Sequence, residues 1–488
     1  MHLRAVFSGI VITATLVCND LAAPAVVIYG GPTYNSATKT GYKFGELPYA
    51  PGNTAGDGVG VGTVSKYYGS DNYTAVHAVR WDTSGTFIEL ANLGVDSEGY
   101  TGGWAYAVNG AGTAVGASSK YVQDSYRGER AVRWDPSGQV TELGVLGNAA
   151  TFVDARAYAV NASGTAVGWS ENGTTLNERA VRWDASGTTA AELGKLGTDS
   201  TGYSISKAYA VNDAGTTVGF AEKYPNPLNT SVGSRAVRWN AGGTAATELG
   251  NLGTDQLGTT AGAAYAINNA GTAVGEMAKY TGSSNRGSRA VRWDASGTAA
   301  TELGNLGTSA SGVTQSVAYD VNSAGTAVGY ARKYVSGVLY NLYRAVRWAS
   351  SGSAATELGD LDLSGVGRGF SQALDINDAG VAVGSAEKYD VGGTLVGTRA
   401  VAWGSDGVAI DLNTLVDPSS GWQNLTVAVG VSNTGWITGY GTFNPGGGLE
   451  PYTRMFLMQI PEPVGLSLLA VFATILPRHR IRVYTGDF

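Results

Sequence analysis

The sequence repeats a unit of 49 to 56 residues, and this repeat limits the fold more than any other feature. Residues 235–254 read RAVRWNAGGTAATELGNLGT and residues 289–308 read RAVRWDASGTAATELGNLGT, so two positions of twenty differ. A chain with such a period folds as an array or ring of equivalent units, each of which packs on its neighbours.

Two markers define the units. The RAVRW-like marker ends at Trp81, Trp134, Trp183, Trp239, Trp293, Trp348 and Trp403, with Met458 in a degenerate eighth copy. The N-x-x-G-x-x-V-G marker starts at Asn53, Asn109, Asn161, Asn212, Asn268, Asn322 and Asn377, with a looser copy at Asn433. The sequence therefore predicts eight units.

Each unit contains four short strand-like runs separated by turns. In the fourth unit they read KAYAVN, TTVGFAEKY, RAVRWN and ATELGNL, and NDAGT and WDASGT are typical hairpin turns. We predict an all-β, eight-bladed β-propeller of four-stranded antiparallel blades, with the Ala-Tyr-Ala run nearest the axis and the ELGNL run outermost. The alternatives are a seven-bladed propeller and an open β-repeat array.

The last unit supplies only three strand-like runs, so one outer strand is missing. Residues 26–47 contain a spare run, VVIYGG, with YKFGEL as a second option. We predict that this segment adds the outer strand of the last blade, which closes the ring and removes an exposed sheet edge.

The recurring residues indicate a scaffold. We interpret the tryptophans as core residues between neighbouring blades rather than as a sugar-binding ring, and the marker asparagines as turn formers. A further prediction pairs the arginine before each tryptophan with the glutamate that follows on the next strand. The arginines are Arg133, Arg182, Arg238, Arg292 and Arg347, and the glutamates are Glu142, Glu192, Glu248, Glu302 and Glu357.

A Lys-Tyr pair ends the second strand-like run in six units. These residues are Lys66, Tyr67, Lys120, Tyr121, Lys223, Tyr224, Lys279, Tyr280, Lys333, Tyr334, Lys388 and Tyr389. In a propeller they form a discontinuous ring on one face. That ring is a candidate site for an anionic polysaccharide, with tyrosines stacking on sugars and lysines facing acid groups. The alternative is that tyrosine covers a strand end and lysine solubilises it.

The repeats contain few of the residues that catalytic sites need. His77 is the one histidine within the repeats, where it replaces an arginine, so a structural role is expected. No catalytic residue, metal site or cofactor is predicted, and no carboxylate pair unique to one blade stands out. The net charge is −7 and basic residues are scattered apart from a short run near the C-terminus, which argues against nucleic-acid binding.

The N-terminal segment MHLRAVFSGIVITATLVCNDLAAPAVV has a basic start, an apolar core and small residues before a cleavage point. This pattern is typical of a secretory signal, and we predict residues 1–25 as the signal with a cut after Ala25. The single cysteine, Cys18, lies in that signal, so the mature chain has no thiol.

The tail, residues 461–488, differs from the repeats in composition. It holds a Pro-Glu-Pro triplet, thirteen mostly apolar residues and a basic cluster: Pro461, Glu462, Pro463, Arg478, Arg480 and Arg482. The tail resembles the PEP-CTERM sorting signal of Gram-negative and related bacteria. The resemblance implies export, transient membrane contact through the apolar run, and processing by an exosortase-type membrane protease as partner.

The repeats resemble the HAF extracellular repeat family, on the elements RAVRW, ELGNLG and AYAVNDAGTTVG across residues 48–458. This resemblance implies an exported bacterial repeat protein and carries over no catalytic residue. With residues 26–460 as the propeller, we expect a non-enzymatic protein of the bacterial cell surface or exopolysaccharide matrix. A lectin-like polysaccharide-binding propeller is the alternative, and an extracellular carbohydrate-active enzyme is a third, weaker hypothesis.

Overall fold

The structure is a computed structural model. It describes residues 2–7, 10–15, 28–30, 33–44, 58–68, 73–84, 86–148, 151–173, 177–225, 230–335, 338–365, 367 and 369–460. Much of the predicted signal segment, the marker Asn53 and the whole tail, residues 461–488, lie outside the described residues. Strands β1 (His2–Phe7) and β2 (Ile10–Thr15) form a hairpin of their own in the signal segment.

The rest of the described chain forms eight blades built on antiparallel meanders, and one short strand in blade 7 pairs parallel to its neighbour. Strand β3 (Ile28–Gly30) precedes the first blade. Blade 1 holds β4 (Tyr34–Asn35), β5 (Thr40–Phe44), β6 (Val59–Tyr68), β7 (Tyr73–Asp82) and β8 (Phe87–Glu89). Blade 2 holds β9 (Gly103–Val108), β10 (Ala114–Val122), β11 (Ser125–Trp134) and β12 (Val140–Glu142). Blade 3 holds β13 (Ala155–Val160), β14 (Ala166–Glu171), β15 (Glu178–Trp183) and β16 (Ala190–Glu192).

The remaining blades follow the same plan. Blade 4 holds β17 (Ser206–Val211), β18 (Thr217–Glu222), β19 (Ser234–Trp239) and β20 (Ala246–Glu248). Blade 5 holds β21 (Gly262–Ile267), β22 (Ala273–Thr281), β23 (Ser284–Trp293) and β24 (Ala300–Glu302). Blade 6 holds β25 (Ser316–Val321), β26 (Ala327–Val335), β27 (Val338–Trp348) and β28 (Ala355–Glu357).

The last two blades carry the irregular elements. Blade 7 holds β29 (Leu361–Asp362), β30 (Ser371–Ile376), β31 (Ala382–Tyr389), β32 (Leu395–Trp403) and β33 (Ala409–Asp411). Two short 3-10 helices, Leu412–Leu415 and Pro418–Ser420, lead to blade 8. Blade 8 holds β34 (Trp422–Val431), β35 (Trp436–Phe443) and β36 (Tyr452–Gln459), and β3 completes it. The architecture is an all-β, eight-bladed propeller, as the repeat predicts.

The ring closes through the N-terminal strand. Strand β3 pairs antiparallel with β36, so that Tyr29 lies opposite Leu457, and it becomes the outer strand of blade 8. Of the two segments considered, VVIYGG is therefore the closing strand. The YKFGEL option is wrong, because β5 pairs with the end of β6 in blade 1 instead.

Blade 1 and blade 8 share a buried cluster, so the array is a closed ring rather than an open one. Val64, Val79 and Trp81 of blade 1 pack there against Met455 and Leu457 of blade 8. The degenerate copy of the RAVRW marker also lies where the repeat places it. Met458 pairs with Ile437 in the register that pairs Trp239 with Thr217 in blade 4, and it is fully buried.

Tryptophans join the blades, as predicted. The Trp239 side chain is fully buried, and its indole Nε1 donates to the carbonyl oxygen of Gly194 in the preceding blade at 2.9 Å. Gly194 in turn donates its N–H to Thr244 O at 2.5 Å. A Cβ atom at Gly194 would lie 2.6 Å from that same oxygen, so the close approach requires glycine. The pattern recurs at Trp183, Trp293, Trp348 and Trp403.

The marker asparagines form turns, and they also join neighbouring blades. Asn109 Oδ1 accepts hydrogen bonds from the N–H groups of Ala111 and Thr113, which confirms the turn role. Its amide Nδ2 donates to Asn161 O in the next blade at 3.0 Å, a contact the sequence did not suggest. The relay runs from blade to blade as far as Asn377, which donates to Ser432 O. Ser432, and not Asn433, therefore holds the marker position in blade 8.

We expect ring closure by β3 to be measurable. A chain that starts at residue 32 lacks β3 and leaves β36 as an open edge, whereas a chain that starts at residue 26 keeps it. The shorter chain should unfold at a Tm lower by on the order of 5 °C and should self-associate through the free edge. Differential scanning calorimetry and sedimentation of the two chains test this. Equal Tm values and two monomers would contradict it.

Candidate functional site

The six Lys-Tyr pairs lie at equivalent positions, at or just past the end of the strand that precedes the RAVRW strand of their blades. In five blades the backbone of the lysine pairs with the segment that arrives from the preceding blade, as Leu196 does with Lys223 in blade 4. In blade 1, β5 takes that place and pairs Tyr42 with Lys66. The Lys-Tyr backbone therefore receives the connection between blades, a structural role that the sequence did not show.

Each of the six lysines binds a carboxylate on the outer strand of its own blade. Lys223 Nζ lies 2.7 Å from Glu248 Oε2, and Lys388 Nζ lies 2.8 Å from Asp411 Oδ2. The other pairs are Lys66–Glu89, Lys120–Glu142, Lys279–Glu302 and Lys333–Glu357. The lysine side chains keep between 22% and 36% of their exposure. A bound anion would therefore compete with a carboxylate already in contact.

The predicted pairing of glutamate with the arginine before tryptophan is wrong. The outer-strand glutamate meets the arginine that opens the RAVRW run: Arg235 Nε lies 3.2 Å from Glu248 Oε1. Equivalent pairs are Arg130–Glu142, Arg179–Glu192, Arg289–Glu302 and Arg344–Glu357. The reason is strand alternation, because Val237 and not Arg238 lies opposite Glu248, so Arg238 points to the other face of the sheet.

The arginine before tryptophan binds the backbone of the next blade. Arg292 donates to the carbonyl oxygens of Ala349 and Ser350 at 2.8 Å each, and to Gly325 O at 3.1 Å and Gly352 O at 3.2 Å. Arg133, Arg238 and Arg347 make equivalent contacts. These guanidinium groups hold the turns of one blade against the strands of the preceding one.

The surroundings of the Lys-Tyr tyrosines vary among the blades, although Tyr224 and Tyr389 both donate their hydroxyls to the glutamate two residues earlier. Tyr67 packs edge-on against Tyr34 at 5.2 Å, and Tyr121 packs against Tyr126 at 5.4 Å between ring centroids. Tyr224 donates its hydroxyl to Glu222 at 3.0 Å, and burial together with this contact raises the pKa of Tyr224 to about 12. The pairs therefore share a backbone position, while their side chains do not form one uniform surface.

His77 takes the place of the arginine that opens the RAVRW run. Its Nδ1 lies 2.5 Å from Glu89 Oε1, and Lys66 and Tyr42 bind the other carboxylate oxygen. Burial would raise the pKa of Glu89, but the hydrogen bonds from His77 and Lys66 outweigh it and lower the pKa to about 2. His77 therefore binds the outer-strand glutamate of its blade, as the arginine at this position does in other blades.

A band of tyrosines near the axis was not recognised in the sequence as a possible site. The tyrosine of each Ala-Tyr-Ala run lies at a β-bulge of the inner strand, which turns the ring out of the regular alternation. Tyr106, Tyr158, Tyr209, Tyr265 and Tyr319 follow one another at centroid distances of 5.6, 6.1, 5.8 and 6.5 Å. The sequence does carry a signal for this band, because five consecutive units have a tyrosine at the same position of a run of small residues.

Two aspartates on neighbouring inner strands form a carboxyl pair, which the sequence reasoning overlooked. Asp320 and Asp375 replace the second alanine of the Ala-Tyr-Ala run in blades 6 and 7. Asp375 is buried, and its oxygens accept from Val431 N at 2.7 Å and Ile376 N at 2.9 Å. Asp320 Oδ2 accepts from the same Ile376 N at 3.1 Å. Burial, and then the adjacent Asp320 carboxylate, raise the pKa of Asp375 well above its usual value.

Neither a cluster of metal ligands nor a membrane-spanning helix occurs in the described part of the chain. Within it, no three His, Cys, Asp or Glu side chains are grouped closely enough to hold a metal ion. No helix there is long and apolar enough to cross a membrane. The apolar run of the tail lies beyond residue 460 and outside the described residues, so its membrane contact stays a prediction.

Comparison with protein families finds a match to part of the repeat region. Residues 46–185 are similar to a family described as "Protein of unknown function (DUF3466)". No curated protein matches the chain.

Solved structures with a similar fold are distant. The β-propeller domain of the Trilobed protease from Pyrococcus furiosus, described as having an open velcro topology, is 11% identical at a TM-score of 0.43. That match covers 79% of this chain and 97% of the other. The GH74 xyloglucanase from Xanthomonas campestris is 12% identical at a TM-score of 0.38, with 85% and 67% covered. A protein of unknown function from Dyadobacter fermentans is 13% identical at a TM-score of 0.31, with 61% and 92% covered.

We expect Arg292→Met to lower the free energy of unfolding by about 3 kcal/mol, because four carbonyl contacts of a buried guanidinium are lost while its length is kept. Lys195→Met, at an exposed lysine 3.7 Å from Glu192, should change it little. Urea unfolding followed by tryptophan fluorescence provides the measurement. Equal destabilisation by both changes would contradict a stabilising role for the contacts of Arg292 with the next blade.

Asp375→Asn should stabilise the protein at alkaline pH. The folded state holds the Asp375 proton more tightly than the unfolded state, so wild-type stability falls as pH rises from the ordinary aspartate range to the raised pKa. Asparagine cannot ionise and still donates to Asp320. The Tm of the variant should exceed the wild-type Tm at pH 8, and the difference should shrink at pH 4. Asp406→Asn, in an exposed turn, is the control, and a pH-independent difference would contradict the assignment.

Proposed function

We propose that the chain is an exported, non-enzymatic propeller of the bacterial cell surface or exopolysaccharide matrix. The observation that carries the proposal is the position of the two sorting segments relative to the ring. Residues 1–25 precede β3 and residues 461–488 follow Ile460, so removal of both keeps every blade strand that the structure describes.

The N-terminal boundary supports a cut after Ala25. The first strand of the ring, β3, begins at Ile28, which leaves two residues between the cleavage point and the closing strand. The hairpin formed by β1 and β2 pairs with no blade. A later cut, within β3, would remove the outer strand of blade 8.

At the C-terminal end, the predicted sorting signal likewise begins directly after the last core residue of blade 8. Ile460 donates its N–H to Gly435 O at 3.0 Å and is buried in the core of blade 8. The triplet Pro461, Glu462 and Pro463 follows at once. Pro461 and Pro463 lack a backbone N–H, so they suit the point at which the sheet ends. The proposed partner is an exosortase-type protease, which would act on a tail next to a complete domain.

The use of the recurring charges supports the non-enzymatic part of the proposal. The repeated lysines, both repeated arginines and the repeated glutamates are bound to one another or to backbone carbonyls. These groups serve the same contacts in blade after blade. The lectin-like alternative through the Lys-Tyr face stays a prediction, and it requires an anion to displace a carboxylate from each lysine.

The proposal predicts the mass of the mature protein. Expressed in a bacterium that has an exosortase system, the chain should be recovered outside the cytoplasm with Val26 as its first residue and without residues 464–488. Intact mass spectrometry with peptide mapping measures both ends. Replacement of Pro461, Glu462 and Pro463 by alanine should leave the tail attached while the N-terminal cut still occurs.

Two results would contradict the proposal. One is recovery of residues 464–488 on the exported wild-type protein. The other is retention of the intact N-terminus with all of the protein in the cytoplasm.

A further inference from the structure

Blade 6 differs from the other blades at the end that carries the Lys-Tyr pairs. Its second strand places Tyr330 and Arg332 on one face, and its third strand places Tyr343 directly opposite Arg332. Gln315 and Phe370, which precede the inner strands of blades 6 and 7, complete the group. We refer to Gln315, Tyr330, Arg332, Tyr343 and Phe370 as the Arg332 cluster.

The rings of the cluster form a continuous aromatic surface. Tyr330 and Tyr343 meet edge-on with centroids 4.8 Å apart, and Tyr343 meets Phe370 at 5.9 Å. Tyr330 also reaches Tyr319 of the axial band at 5.7 Å. All of these rings are half-buried. The surface therefore keeps some solvent access and joins the axial tyrosine band.

Hydrogen bonds fix the polar groups between these rings. Tyr343 donates its hydroxyl to Gln315 Oε1 at 3.1 Å and accepts from Arg332 Nη2 at 2.8 Å. Gln315 Nε2 donates to the hydroxyl of Tyr330 at 3.2 Å. The phenol of Tyr334 also bonds to Arg332. The guanidinium is thus oriented by phenols, with its carbon 5.0 Å from the centroid of Tyr343.

Phenols orient Arg332 but leave its charge unneutralised. Across the part of the chain that the structure describes, no carboxylate lies within 4.0 Å of this guanidinium. At the equivalent place between blades 2 and 3 and between blades 3 and 4 the charges are paired, since Glu129 binds Arg156 at 2.6 Å and Glu178 binds Lys207 at 2.8 Å. A half-buried guanidinium with donors to spare favours an anionic partner with oxygen acceptors.

Comparison of the copies shows that the scaffold does not require this arginine. The residue two positions before the Lys-Tyr tyrosine is Glu222 in blade 4 and Glu387 in blade 7, which reverses the charge at the same place. The position of Tyr343 holds Ser234 in blade 4 and Ser288 in blade 5. Blade 6 therefore departs from its neighbours in charge and aromatic content together, at one spot.

We propose that the Arg332 cluster binds an anionic sugar unit of an acidic polysaccharide, an inference that rests on the proposed function in the matrix. The apolar face of a sugar ring packs on the exposed parts of Tyr343 and Phe370. Arg332 receives the acid group through two parallel hydrogen bonds, as guanidinium does with a carboxylate. Gln315 lies beside it with an amide for a sugar hydroxyl. The site differs from the Lys-Tyr ring, whose lysines already bind carboxylates.

The experiment measures binding of the full chain to three polymers by affinity electrophoresis and calorimetry. Polygalacturonate presents carboxylates, dextran sulfate presents sulfates and dextran presents neither. Wild type should bind at least one anionic polymer and not dextran. Arg332→Gln should weaken that binding at least about tenfold, because a charge-assisted bidentate contact is lost. The polymer that is bound identifies the acid group.

Two further variants separate a site from a general effect of charge. Arg332→Glu installs the residue that blades 4 and 7 carry, so its Tm should stay close to that of wild type while binding is abolished. Lys195→Gln removes a positive charge elsewhere on the surface and should bind as wild type does. Lys223→Gln tests the Lys-Tyr ring and should also retain binding.

Several outcomes would overturn the proposal. Unchanged binding by Arg332→Gln or Arg332→Glu excludes the cluster, and loss in Lys223→Gln alone would assign the ligand to the Lys-Tyr ring. Equal loss in Lys195→Gln would reduce the effect to net charge. If wild type binds none of the polymers, the inference is wrong, whereas the proposed export and processing are decided separately by the masses of the mature chain ends.

Discussion

A tryptophan-to-glycine hydrogen bond that crosses five of the seams between neighbouring blades governs the rest of the structure. A buried tryptophan indole of one blade donates to a glycine carbonyl of the preceding blade, and the glycine N–H bonds back to the next blade. The indole N–H and the glycine peptide group can meet in one geometry only, so each blade must present the same strand, turn and glycine to its neighbour. This geometric requirement explains the near-identity of residues 235–254 and 289–308.

The seam between blades 8 and 1 cannot follow the same rule, because the chain has two ends there. Trp81 is buried, and its indole Nε1 has no hydrogen-bond partner among the described residues. Met458, which replaces the tryptophan in blade 8, packs in the cluster shared with blade 7, so that seam has no indole hydrogen bond either. Apolar packing of Trp81 with Met455 and Leu457, together with β3 along β36, joins the ends instead. The strand that closes the ring thus compensates for the weakest repeat.

The polar residues fall into two groups with different roles. Those that recur are bound in the scaffold: lysine and the first arginine to the outer-strand carboxylate, the second arginine to the next blade, and asparagine to the next turn. Those that occur once deviate from the scaffold, as Arg332 and the Asp320–Asp375 pair do. Because a repeated residue serves a repeated contact, specific chemistry is to be sought in the second group.

Periodicity was enough to predict the number of blades, their four strands and their order from axis to rim, while a count of strands placed the closing strand within residues 26–47. Partners of charged side chains were not predictable in this way. Whether Glu248 meets Arg235 or Arg238 depends on the register of the outer strand within blade 4, which places Val237 opposite Glu248. The tyrosine band depends on a bulge, and the Asp320–Asp375 pair on two strands that are 55 residues apart in the chain. The sequence determined the repeating scaffold because every unit repeats the same short-range pattern. Only the tertiary structure decided which side chains meet, because those contacts depend on strand register within a blade and on packing between blades.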